Sequence, residues 1–143
     1  FPQANGATIP FAIPIYGIYT PEYAASGSID YEVPMNGFKL VAHLDANYSD
    51  GYYANYSDPG FNTTTGQVTL AQPKGDSAFL VNARLAIADI DAGSTGQTVT
   101  IAAWSRNLFN EQHAFYRSVS AVAGGMGIFN EPRTYGLELS IKM

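Results

Sequence analysis

The sequence predicts an all-β chain, an antiparallel up-and-down meander of about five strands. Apolar and polar residues alternate strictly over several stretches, the two-residue period of a strand that shows one face to an apolar medium and the other to water. Turn-forming clusters such as Pro34-Met35-Asn36-Gly37 separate some of these stretches. No window approaches the ~18 uninterrupted apolar residues of a transmembrane helix.

In residues 1–21, Pro2, Pro10, Pro14 and Pro21 remove ladder donors, so this part reads as an extended apolar loop that packs on something. From Glu22 the alternation begins, with Tyr23, Ala25, Gly27, Ile29, Tyr31 and Val33 opposed to Ser26, Ser28, Asp30 and Glu32. Asn36-Gly37 supplies a tight reversal. The return strand sets Phe38, Leu40, Ala42, Leu44, Ala46 and Tyr48 against Lys39, His43, Asp45 and Asn47. Residues 50–76 form a long polar loop, within which Gln67 to Ala71 alternates enough to extend a strand. A third strand spans about Ser77 to Ile90, with 91–96 as a short turn and a fourth strand from about Gln97 to Arg106. A second long loop covers 107–131. In the terminal strand Tyr135, Leu137, Leu139, Ile141 and Met143 share one face, and Gly136, Glu138, Ser140 and Lys142 the other.

Composition narrows the class. Charged residues are 13% of the 143, against about 25% in ordinary soluble domains, while Tyr (10) and Phe (8) are abundant. Scarce charge and many aromatics suit a membrane barrel with aromatic girdles, and equally a secreted β-protein. A net charge of −5 without a basic patch argues against nucleic acid. There is no cysteine, hence no disulfide framework and no thiolate metal site. The start, Phe1-Pro2-Gln3, lacks both a basic region and an initiator Met, which leads to the expectation of a chain cut from a longer one.

Connection lengths alternate, short at 34–37 and 91–96 and long at 50–76 and 107–131. That asymmetry matches an outer-membrane barrel, whose turns are short in the periplasm and long outside. The organisation expected is therefore an extracellular apolar loop at 1–21, followed by barrel strands over 22–143. Bacterial barrels close with about eight or more strands, so five strands form part of a larger transmembrane β-barrel. Other strands, from the same precursor or another chain, must complete it, because an open edge facing lipid leaves backbone groups unpaired.

Two motifs resemble a known family. The end Asn130-Glu131-Pro132-Arg133-Thr134-Tyr135-Gly136-Leu137-Glu138-Leu139-Ser140-Ile141-Lys142-Met143 is similar to the carboxyl end of TonB-dependent outer-membrane receptors. Trp104-Ser105-Arg106-Asn107-Leu108-Phe109-Asn110-Glu111 resembles their penultimate-strand signature. The resemblance covers roughly 23–143; Met143 stands where the family usually ends in an aromatic, and Ser105 where Gly is common. It implies a barrel of about twenty-two strands around a plug, in the bacterial cell outer membrane. It also implies active uptake of a ferric siderophore, cobalamin or an oligosaccharide, driven by an inner-membrane energy-coupling complex. The coupling segment and the plug are amino-terminal in the family, so this chain alone supplies wall and loops.

Tyr52, Tyr53 and Tyr56 are the candidate ligand-binding residues, because aromatic faces pack on sugar or siderophore rings; an interfacial girdle is the structural alternative. Arg84, Arg106, Glu138 and Lys142 are expected to make charge pairs on the lumen side, and the resemblance makes them candidate plug contacts. His43 and Asp45 share a strand face, yet no nucleophile motif accompanies them and no metal-ligand spacing occurs, so no enzyme, no metal and no cofactor is expected. Two other functions stay open: a self-assembling β-strand protein forming a filament or surface layer, and a secreted β-sandwich binding module.

Overall fold

The computed structural model describes residues 12–93 and 96–142. The first half of the proline-rich stretch, Ser94 and Thr95 of the second short turn, and Met143 lie outside the described residues. Among the described residues seven strands form: β1 (Ala24–Met35), β2 (Phe38–Ser49), β3 (Ala78–Asp91), β4 (Thr98–Arg106), β5 (Ala114–Ser120), β6 (Gly124–Phe129) and β7 (Thr134–Lys142). Among the described residues there is no helix. The chain divides into two compact units. One holds the strands β1, β2, β3, β4 and β7, and the other is drawn from 12–23, 50–77 and 113–130.

The sheet unit is a five-stranded antiparallel meander in the order β1-β2-β3-β4-β7. Its register carries the sequence alternation straight across. Ile29, Leu44 and Ala83 are consecutive partners, as are Tyr31, Ala42, Leu85, Ala103 and Leu137. Residues opposite one another point to the same face. Every apolar set therefore falls on one side of the sheet. Most of that side is open among the described residues: Tyr135, Leu137 and Leu139 are 79%, 84% and 68% exposed, while Val81 on the same side is buried. Burial is left to small side chains, since the sheet's buried apolar residues are Val81, Ala86, Ala88 and Ala102.

A bulge protects the pattern. Ile87 pairs with Ile101, but the next apolar partner, Val99, faces Ile90 rather than Asp89. Strict alternation would have put the Asp89 carboxylate among the apolar side chains. The extra residue, at φ 55°, removes it from the ladder, and Asp89 meets the Lys39 ammonium at 3.1 Å. At the β1–β2 reversal Gly37 takes φ 86°, which an L side chain resists. Pro34 is tolerated because β1 is an edge strand.

The signature after β4 is a knot of hydrogen bonds. Asn107, buried and at φ 50°, donates through Nδ2 to the Glu111 and Glu131 carbonyls and accepts the Glu111 N–H on Oδ1. Its own N–H goes to Asn82 Oδ1. Leu108 N–H bonds the Val81 carbonyl, Glu111 accepts the Phe79 N–H with both carboxylate oxygens, and Asn110 Oδ1 takes the Arg133 N–H. The starts of β3 and β7 are thus pinned to the end of β4.

Two expectations are corrected. The stretch 107–131 contains a hairpin of β5 and β6, where a continuous loop was expected. Gly124, Gly125 and Gly127 conceal β6, because glycine carries no face to alternate. Gln67 to Ala71 does not extend a strand. Only Val68 bridges, to Phe61, and the backbone closes a tight reversal in which Asn62 Oδ1 accepts the N–H groups of Thr64 and Thr65. At the base of 50–77 the two chain ends run so close that a Cβ on Gly51 would lie 1.9 Å from the Gly75 carbonyl oxygen. Only glycine fits there.

Candidate functional site

The polar face of the sheet is built by the same register that builds the apolar one. Asp30, His43, Arg84, Trp104 and Gly136 are consecutive partners across the five strands. His43 lies between two carboxylates, with Nδ1 2.6 Å from Asp30 Oδ1 and Nε2 3.7 Å from Asp45 Oδ2. Asp45 Oδ1 also accepts Nδ2 of Asn82 at 2.8 Å and of Asn47 at 3.0 Å. One strand further, Arg84 reaches over β4 to Glu138, with Nη2 to Oε1 at 3.0 Å and Nε to Oε2 at 3.4 Å, a two-point pair. This face holds charges of both signs, half-exposed and mutually bonded. It can line water or meet another polar surface.

Of the four residues expected to pair there, Arg84 and Glu138 do so. Arg106 instead stacks, its guanidinium carbon 5.8 Å from the Trp104 ring centroid. The Trp104 ring lies against Gly136, so near that a Cβ would sit 2.7 Å from it. Lys142 stands opposite Thr98, at the other end of β4 from Arg106. The four are not one site. Chemically the face offers no nucleophile held by a base, and among the described residues no group of three or more His, Cys, Asp or Glu is placed to hold a metal.

The second unit gathers tyrosines. Tyr16 stacks on Tyr53 with ring centroids 4.1 Å apart and planes at 14°, and Tyr19 tilts against Tyr52 at 5.8 Å. Backbone bonds hold these segments side by side: Tyr16 N–H to the Tyr56 carbonyl at 2.8 Å and Tyr19 N–H to the Tyr53 carbonyl at 2.9 Å. Of the three candidate ligand tyrosines, Tyr53 and Tyr52 give ring contacts to neighbours, while the Tyr56 ring is exposed. Tyr16 and Tyr19 were not singled out by the sequence. The available signal was their spacing of three in an otherwise aliphatic stretch.

Beneath the rings the unit is polar. Buried Asp58 accepts the Tyr16 hydroxyl at 2.9 Å and the Gln72 N–H at 2.7 Å. The hydrogen bond to that carboxylate, then burial, raises the Tyr16 phenol above its ordinary value. Gln72 bonds the backbone of Val119 in both directions, and Asn55 donates to Ser118 at 2.9 Å. Asp76 Oδ2 accepts Arg117 Nη2 at 2.8 Å and the Ala114 N–H at 2.9 Å, which hold its carboxyl below the usual range. Asp50 is lowered likewise by Lys74 and the Gly51 N–H, and Lys74 is raised by Asp50 and Glu22. These bonds join segments far apart in sequence. Against known proteins, the chain matches no family model, no curated protein and no solved structure.

Proposed function

We propose that this chain is the carboxyl-terminal segment of the barrel of a TonB-dependent outer-membrane receptor, acting in active nutrient uptake. The supporting observation is the division of the five-stranded meander, apolar and largely exposed on one face, polar and hydrogen-bonded on the other. A soluble sheet turns its apolar face inward; a barrel wall turns it to lipid. Strand lengths of 9 to 14 residues suit a tilted crossing, which needs about 9 to 11. The motif Asn107 to Glu111 gains a physical reason in this reading, since it anchors the last strand to its neighbours.

In this role the chain provides wall and extracellular loops. The outer edges of β1 and β7 pair with further barrel strands, a plug fills the lumen, and an inner-membrane complex supplies energy. The ligand is a siderophore, cobalamin or oligosaccharide, met outside by the tyrosines at 52, 53 and 56. Localisation follows as the bacterial cell outer membrane.

The test is the mass and membrane affinity of the full chain, with and without detergent. The receptor reading expects a species that needs detergent and floats with phospholipid vesicles after an alkaline wash. A monodisperse 15.3 kDa monomer without detergent overturns it in favour of a secreted module. A detergent-independent ladder of identical units overturns it in favour of a filament built through the two open edges.

A further inference from the structure

On one face of the β5–β6 hairpin lies a groove of about 430 Å³. In register Arg117 faces Gly127 and Val119 faces Gly125, so these four positions share that face. Pro73 and Phe129 complete its apolar walls. Small-molecule sites occupy about 300 to 1,000 Å³, and this groove falls among them.

Gly125 and Gly127 have no local reason to be glycine. The positive φ of this hairpin belongs to Gly124. A Cβ on Gly125 would meet nothing within 4 Å, and one on Gly127 nothing closer than 3.7 Å. A strand gains from a side chain at such positions, because glycine costs backbone entropy and packs nothing. What the two bare positions do is leave the groove floor open.

Arg117 supplies the polar end. Its Nη2 is taken by Asp76, whose carboxylate is itself anchored on the Ala114 N–H, so the guanidinium is aimed before any ligand arrives. Its Nε is enclosed and has no acceptor among the described residues, so a ligand in the groove would meet the Nη groups. A guanidinium has five N–H donors in a planar fork that matches a carboxylate. Apolar walls ending on a guanidinium that keeps Nη donors beyond its one bond to Asp76 complement an amphipathic anion.

We infer that this groove binds a small organic carboxylate, with its apolar body between Phe129, Val119 and Pro73 and its carboxylate on Arg117. As the site of an imported solute it rests on the receptor reading; as a binding groove it rests on the loop unit alone.

The probe is phenylacetate, titrated into the full chain carrying ¹³C-methyl methionine. Met126 borders the groove from the register position between Gly125 and Gly127, opposite Ser118, and Met35 at the end of β1 is the internal reference. A saturable shift of Met126 with Met35 unmoved is expected. Uncharged phenylacetamide and the Arg117→Gln variant should each bind about tenfold more weakly, and Gly127→Leu should abolish the shift. Gly125→Ala, which adds its Cβ into open space, should keep the fold and weaken binding, so misfolding of the leucine variant leaves a second test. A Met126 signal that never moves, or moves equally in Gly125→Ala and Gly127→Leu, overturns the groove. Vesicle flotation on the same sample separates the two proposals: binding without flotation sinks only the receptor, and flotation without binding only the groove.

Discussion

In the sheet, large apolar side chains stand outside and the buried apolar places go to Val81 and alanines; in the loop unit, Ala54 and Ala114 are joined inside by Asp58, Gln72 and His113, with the Tyr16 hydroxyl on Asp58. One chain thus follows two opposite rules. A monomer in water seldom exposes an apolar patch larger than a few hundred Å². A continuous apolar face across five strands is consistent with a medium other than water, whereas a polar interior held by buried hydrogen bonds is how a loop folds in water. In the proposed barrel the contrast would separate lipid-facing from water-facing parts, and it can be broken.

The largest effect should come from a charge on the apolar face. Leu44→Lys, in central β2, is expected to cost about 2 to 4 kcal/mol if the position lies at the bilayer midplane, read by urea unfolding in lipid vesicles. Ser28→Lys, on the opposite face and beside Asp45 in register, should cost almost nothing. Equal tolerance of the two would erase the distinction between the faces.

Next in size is the knot after β4. Asn107→Ala removes the side-chain bonds to the Glu111 N–H and the Glu131 carbonyl and forces alanine to φ 50°, at a cost of about 2 to 3 kcal/mol. The counterpart in the loop unit, Asp58→Ala, strips the Gln72 N–H and the Tyr16 hydroxyl, for about 1 to 2 kcal/mol. Amide hydrogen exchange should place the first loss in the β3 and β7 amides and the second in residues 53–72. Loss of protection everywhere from either variant would mean that the two units unfold as one.

These cases show what was legible. The sheet was readable because period-two alternation is local and the face it predicts is the face the register delivers; the five strands fall within two residues of the stretches that alternate. The Asp89 bulge was not readable, because its reason is the facing residue Val99, on another strand. The hairpin of β5 and β6 was hidden by glycines that give no periodic signal. In the loop unit almost nothing was legible: Asp58 and Gln72 are ordinary polar letters until a fold brings Tyr16 and Val119 to them. The charges expected to pair on the polar face sit between these cases. Alternation placed Arg84, Arg106 and Glu138 on one face, but only the register decides that Arg84 takes Glu138 while Arg106 takes Trp104.

Acid should act on the loop unit first. The Asp76 and Asp50 carboxyls are lowered in the folded state, so the stability they contribute is present above about pH 4 and lost as pH falls through their depressed values. At the other extreme, the raised Tyr16 phenol and Lys74 ammonium hold below about pH 10 and fail as pH rises through their folded values. Exchange of the Gly75 and Ala114 amides should therefore accelerate at both limits. Arg117→Met should flatten the acid limb by removing the main cause of the Asp76 shift, and an unchanged limb would assign the acid response elsewhere.

The smallest effect is the most discriminating for function. Arg84 and Glu138 form a two-point pair across β4, with side chains 34% and 45% exposed. If that face lines water, a double-mutant cycle of Arg84→Gln and Glu138→Gln should give about 0.2 to 1 kcal/mol, shrinking as salt rises to the point where the Debye length is a few Å. If another protein surface covers the face, as a plug would, water is excluded, and removing one partner alone becomes the costly step because the remaining charge is stranded. The signature is then single-variant losses well above the coupling seen in the isolated chain, insensitive to salt, and present only when the chain is assembled with the strands of the proposed barrel. Running the cycle in both states converts a weak pair into a report on what occupies the space in front of it.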